Sequence, residues 1–76
     1  MEKLSRLKQG EWVEIVDIPQ SCPLHIPLQQ FGITPGSVLF CRYCSPGGEL
    51  IAIECEGGVV ALRAKELSGI VVRPCS

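Results

Sequence analysis

Ser37-Val38-Leu39-Phe40-Cys41-Arg42-Tyr43-Cys44, Ser45-Pro46-Gly47-Gly48, Leu50-Ile51-Ala52-Ile53-Glu54-Cys55, then Gly57-Gly58 and Val59-Val60-Ala61-Leu62 set three short β-forming segments between two turn signals. β-branched and aromatic residues fit a pleated surface, and each segment is too short for a helix of ordinary length. Pro46-Gly47-Gly48 and Gly57-Gly58 supply the backbone freedom that tight turns require, so consecutive segments pair as antiparallel hairpins. Alternation puts Leu39, Cys41 and Tyr43 on one face of the first segment and Val38, Phe40, Arg42 and Cys44 on the other. Ile51 and Ile53 face inward.

Working toward lower numbers, Thr34-Pro35-Gly36 is a turn. Leu24, Leu28 and Phe31 stand at i, i+4 and i+7, the spacing of one helical face. Gly32 suits a helix C-terminus that needs positive φ. Pro27 is tolerated only in a first helical turn, so the helix is expected over about residues 26–31 with an irregular lead-in. Trp12-Val13-Glu14-Ile15-Val16-Asp17-Ile18 reads as a strand ended by Pro19. Val16 and Ile18 break its period of two, which a bulge near Val16 would reconcile. Leu4 and Leu7 suggest one turn packed on the domain edge. Toward higher numbers, Ala64-Lys65-Glu66-Leu67 has room for a single helical turn closed by Gly69, and Ile70-Val71-Val72-Arg73 is a last strand before Pro74.

Five short strands, a helix between the first two and a single turn before the last predict a mainly all-β fold: a small closed SH3-like barrel. An OB-fold is the near alternative, but it places its helix later in the strand order. Closure would also remove exposed sheet edges. The length of 76 residues allows one small domain over residues 1–76. A chain of this size buries only about 60% of its unfolded surface, which leaves little room for an enzyme's cleft.

Seven Lys+Arg against eight Asp+Glu give a net charge of -1, so nothing attracts a phosphate backbone and no nucleic-acid partner is expected. There is no apolar run of membrane-spanning length and no signal-peptide pattern behind Met1-Glu2-Lys3, so a cytoplasmic protein without membrane insertion is expected. Five cysteines are an odd set for a disulfide framework, which agrees with reduced thiols.

Cys41-Arg42-Tyr43-Cys44 is a C-x-x-C without a second copy. Residues three apart on a regular strand point to opposite faces, so the two thiols should not share a metal without a bend. Cys22-Pro23-Leu24-His25 places a thiol near an imidazole in what reads as an exposed loop. Cys22, His25, Cys41 and Cys44 are therefore the candidate ligands of a weak transition-metal site for iron or zinc, and Cys55 is a further donor for a metal-sensing or metal-carrying module. No required cofactor and no catalytic set is expected. The glycine pairs lack the spacing of a phosphate-binding loop. Arg63 and Glu66 are spaced for a local charge pair.

The series Leu7, Gly10, Val13, Ile15, then Leu28-Gln29-Gln30-Phe31-Gly32-Ile33-Thr34-Pro35-Gly36, then Pro46-Gly47-Gly48, then Val60-Ala61-Leu62-Arg63-Ala64-Lys65-Glu66, then Ile70-Val71-Val72 resembles the FeoA family. The resemblance runs over about residues 4 to 72 and implies an SH3-like barrel. It implies a small cytoplasmic, non-enzymatic accessory protein of bacterial ferrous iron transport, acting on the cytoplasmic domain of a FeoB-type membrane permease. His25-Ile26-Pro27 stands where that family usually carries basic residues. The loop and helix over residues 22–31 supply the expected partner surface, with Leu24, His25, Ile26 and Leu28 as its residues. The alternative use of these apolar residues is to cap one end of the barrel, and self-association through them is a further expectation.

Overall fold

The alternating apolar segments form one antiparallel sheet, and the turns between them fall at the glycines and prolines. A computed structural model describes residues 1–75. In chain order these hold β1 (Glu2–Lys3), a 3-10 turn (Leu4–Arg6), β2 (Trp12–Asp17), α1 (His25–Gln30), β3 (Val38–Cys44), β4 (Leu50–Cys55), β5 (Gly58–Arg63), a second 3-10 turn (Ala64–Glu66) and β6 (Val71–Pro74). The strand order is β1-β6-β2-β3-β4-β5. The inner face carries Ile15, Leu39, Cys41, Ile51, Ile53 and Val72, sealed by Leu4, Leu67 and Ile70 from the two 3-10 turns and their flanks. Each such aliphatic side chain contributes about 1.5–3 kcal/mol by leaving water.

This is the expected SH3-like architecture, with two corrections. The sheet has six strands rather than five, because Glu2 and Lys3 pair with Val72 and Val71 at the β6 edge. Nor does the hydrogen-bonded ladder close: β1 and β5 are its two ends and do not pair with each other among the described residues. After Arg63 the chain leaves β5 for the second 3-10 turn, which packs on the first. There Leu4, Leu67 and Ile70 are buried together with the core, and the Leu4 amide donates to the Ile70 carbonyl at 3.0 Å.

Two bulges set which side chains face the core. In β2 the pairing with β6 steps from Ile15↔Val72 to Asp17↔Val71, leaving Val16 as the extra residue. Val13, Ile15 and Ile18 can then all be buried, as the broken alternation suggested. In β3 the pairing with β4 steps from Cys41↔Ile53 to Tyr43↔Ala52. Arg42 is the extra residue, and the faces exchange after it. Tyr43, expected on the same face as Leu39 and Cys41, is exposed, whereas Cys44, expected on the opposite face, packs against the core with Cys41.

Candidate functional site

α1 is short and held mainly from below. Pro27 is its third residue, within the first turn, where a missing N–H breaks no helical bond. Its end is a Schellman motif: the Ile33 amide donates to the Leu28 carbonyl at 2.8 Å and the Gly32 amide to Gln29 at 3.0 Å. Gly32 takes φ of +92° to make that turn. Leu28 and Ile33 are both buried, so the motif anchors the helix in the core.

This anchoring corrects the expected contact set. Leu28 is 2% exposed, so it is a core residue beneath the surface rather than part of it. Leu24 is half-buried and packs on the core, while Ile26 is 56% exposed. The surface that α1 offers is thus Ile26 with the rims of Leu24 and His25, flanked by exposed Pro23 and Pro27.

Cys22 and His25 do not lie in an exposed loop as expected. Cys22 is buried, and its thiol donates to the Glu66 carbonyl at 3.3 Å, tying the segment before α1 to the second 3-10 turn. His25 Nδ1 lies 3.1 Å from the Ile18 carbonyl. A carbonyl can only accept, so Nδ1 carries the hydrogen, and Nε2 of the neutral ring is the acceptor. Both side chains brace the lead-in to α1. Glu66 and Arg63 form no ion pair among the described residues; the pairs present are Arg42–Glu54 and Arg73–Glu14, both at 3.5 Å and largely solvated. Such pairs contribute little.

Of the four candidate ligands, the fold brings two together. The β3 bulge places Cys41 Sγ 3.5 Å from Cys44 Sγ, against the expectation that a strand would separate them. Cys44 Sγ also donates to the Leu7 carbonyl at 3.1 Å. Among the described residues no group of three or more His, Cys, Asp and Glu converges as a metal site, and Cys22 and His25 are engaged with carbonyls elsewhere. The Cys41 thiol is pushed up from 9.0 to about 11, first by burial and then by its hydrogen bond with Cys44.

That shift carries a prediction. The unfolded chain ionises this thiol before the folded chain does. Its contribution to stability is therefore complete below about pH 9 and is lost as pH rises toward about 11. Urea denaturation across that range should show a loss of roughly 2 kcal/mol that is absent from Cys41→Val. Identical pH profiles for the two proteins would contradict the assignment.

A second apolar patch lies on the outer face of the sheet and was missed in the sequence. Trp12 pairs with Phe40 across β2 and β3, with ring centroids 4.7 Å apart and planes tilted by 44°. Trp12 and Val38, two residues before Phe40 on the same face, are each about half exposed. The only sequence signal was that Val38 and Phe40 share the face opposite Leu39 and Cys41. On strands apolar on both sides, that does not say which side meets water.

Comparison with known proteins agrees with this geometry. The FeoA domain model matches residues 2–74. No curated protein matches the chain. Among solved structures, the FeoA protein from Chlorobium tepidum is 28% identical with a TM-score of 0.85, covering 99% of this chain and 71% of that one. Iron(II) transport protein A from Clostridium thermocellum is 30% identical with a TM-score of 0.83, covering 96% of this chain and 45% of that one. A FeoA-like protein from Clostridium acetobutylicum, 23% identical with a TM-score of 0.81 over 97% of this chain and 90% of that one, shares the fold. With the domain model spanning nearly the whole sequence over the same six-stranded sheet, the chain belongs to the FeoA family, which is associated with ferrous iron transport.

Proposed function

We propose that the protein is a cytoplasmic, non-enzymatic adaptor of ferrous iron transport that binds the cytoplasmic domain of a FeoB-type permease. Family membership supports the transport setting, and no helix of the described residues is long and apolar enough to cross a membrane. The observation that carries the binding surface is Ile26. It is an exposed aliphatic side chain between two prolines, on a helix whose far end is locked into the core. A contact held this rigidly loses little conformational entropy on binding.

The test is association of the purified protein with the permease's cytoplasmic domain. Ile26→Asp should weaken binding by at least about tenfold, since burying an isoleucine side chain is worth about 1.5–3 kcal/mol. Its thermal stability should match the parent's, because the position is exposed. Trp12→Ala, on the outer sheet face, should bind like the parent. Full binding by a folded Ile26→Asp protein, with loss in Trp12→Ala, would move the interface to the Trp12–Phe40 patch.

A further inference from the structure

We propose that Cys41 and Cys44 are a reversible oxidation site, closing to an intrachain disulfide by exchange with an anionic low-molecular-weight disulfide that enters beside Cys44. The bulge at Arg42 makes this feasible. Across the β4 ladder the two cysteines face Ile53 and Ile51, positions two residues apart rather than three. At about 3.4 Å per residue, that separation is roughly 6.8 Å between Cα atoms. It is the upper end of the range a disulfide spans, whereas a regular strand would set them roughly 10 Å apart and out of reach. The sulfurs are 3.5 Å apart in the reduced protein. A bridge at the limit of the allowed span is readily reduced, as a reversible site requires.

Access and charge distinguish the two thiols. Cys41 is fully buried, and Cys44 is half-buried. Cys44 lines a surface groove of about 300 Å³ whose other walls include Arg6, Lys8, Ser45 and Pro46. Arg6 and Lys8 in its walls favour an anionic reagent over a neutral one, offset in part by Glu11, whose carboxylate accepts from the Lys8 amide. The Cys44 thiol gives its proton to solvent, and its sulfur attacks the incoming disulfide. One small thiolate leaves and is protonated, and a mixed disulfide remains on Cys44. Cys41 then gives up its proton and attacks Cys44 Sγ, breaking the mixed bond and releasing the second small thiol. Two protein S–H groups and one small disulfide thus become one protein S–S bond and two small thiols. The protein is oxidised by two electrons and the reagent reduced by two. The closed form lacks the Cys44 thiol hydrogen that is donated to the Leu7 carbonyl, so oxidation loosens the first 3-10 turn from β3.

The probe is oxidised glutathione, applied to the full chain carrying Cys55→Ser and Cys75→Ser so that the partly buried Cys55 and exposed Cys75 thiols do not report. Intact mass should fall by two hydrogens with no adduct retained, and two thiols should become resistant to alkylation. Trypsin cuts after Arg42, between the two cysteines, so the fragments on either side should stay joined until a reductant is added. Adding Cys41→Val should trap one glutathione on Cys44, and adding Cys44→Ser should leave neither link nor adduct. A neutral disulfide, 2-hydroxyethyl disulfide, should react several-fold more slowly, and salt should shrink that difference. Retention of all alkylatable thiols, or a fragment link that survives Cys44→Ser, overturns the proposal. So does a cobalt(II) thiolate charge-transfer band that depends on Cys44, which would assign the pair to a metal.

Discussion

Ile53→Ala is expected to lower stability by about 2–5 kcal/mol, because it deletes buried carbon and leaves a cavity between facing strands. Ile53 is fully buried and pairs with Cys41 of β3 and Val60 of β5, so it sits where three strands meet. A domain of this length has about 4–11 kcal/mol of stability in total, and the loss removes a large share of it. At about 4–8 °C per kcal/mol for a domain of this size, the melting temperature should fall by roughly 10 °C or more. Ile53→Val removes only one methylene and should cost about 0.5–1.5 kcal/mol. Denaturant midpoints of the two variants measure the difference. An alanine variant within 1 kcal/mol of the parent, roughly the valine cost, would mean that the site collapses or that β4 is not central.

Gly57→Ala should have the second largest effect, and for a steric reason. Gly57 lies in the hairpin between β4 and β5, and a Cβ there would stand 2.8 Å from the Phe31 carbonyl oxygen and 3.5 Å from the Phe31 ring. The oxygen is backbone and cannot swing away, so the end of α1 must shift off the hairpin. Overpacking of this kind costs about 1–3 kcal/mol, offset in part by the entropy a glycine gives the unfolded chain. Gly32→Ala is the contrasting case: nothing lies near its added Cβ, and only the φ of +92° opposes it. That should cost about 1–2 kcal/mol without moving α1. Stability and the amide chemical shifts of residues 25–33 separate the two. Unchanged shifts in Gly57→Ala would show that the contact is not tight.

Much of the architecture could be read from local signals, and the parts that could not have physical causes. Val16 advertised its bulge because alternation failed around it. Arg42 did not, because Leu39 through Cys44 is apolar at every position but Arg42 itself, and either parity reads equally well. β1 carried no apolar pattern, since Glu2 and Lys3 belong to a short charged edge whose pairing is purely backbone. At the candidate site, Ile26 was visible as surplus apolar surface. Leu28 was assigned to that surface although its helical spacing from Leu24 already pointed it at the barrel. The buried thiol of Cys22 and the half-buried ring of His25 are held by carbonyls of Glu66 and Ile18, contacts that no local pattern announces.

The open seam of the sheet has a consequence for the order in which the molecule assembles. β2 through β5 are joined in sequence by pairings between neighbours, and the β3–β4 and β4–β5 hairpins close over short loops. β6 instead reaches back to β2 and β1, across most of the chain. Such distant pairings lose the most chain entropy before any contact compensates, so the hairpins form first and β6 docks last. The same asymmetry makes the two β6 ladders, to β1 and to β2, the place where the native state opens most readily, leaving a β2–β5 meander that still holds the bulge and its paired thiols.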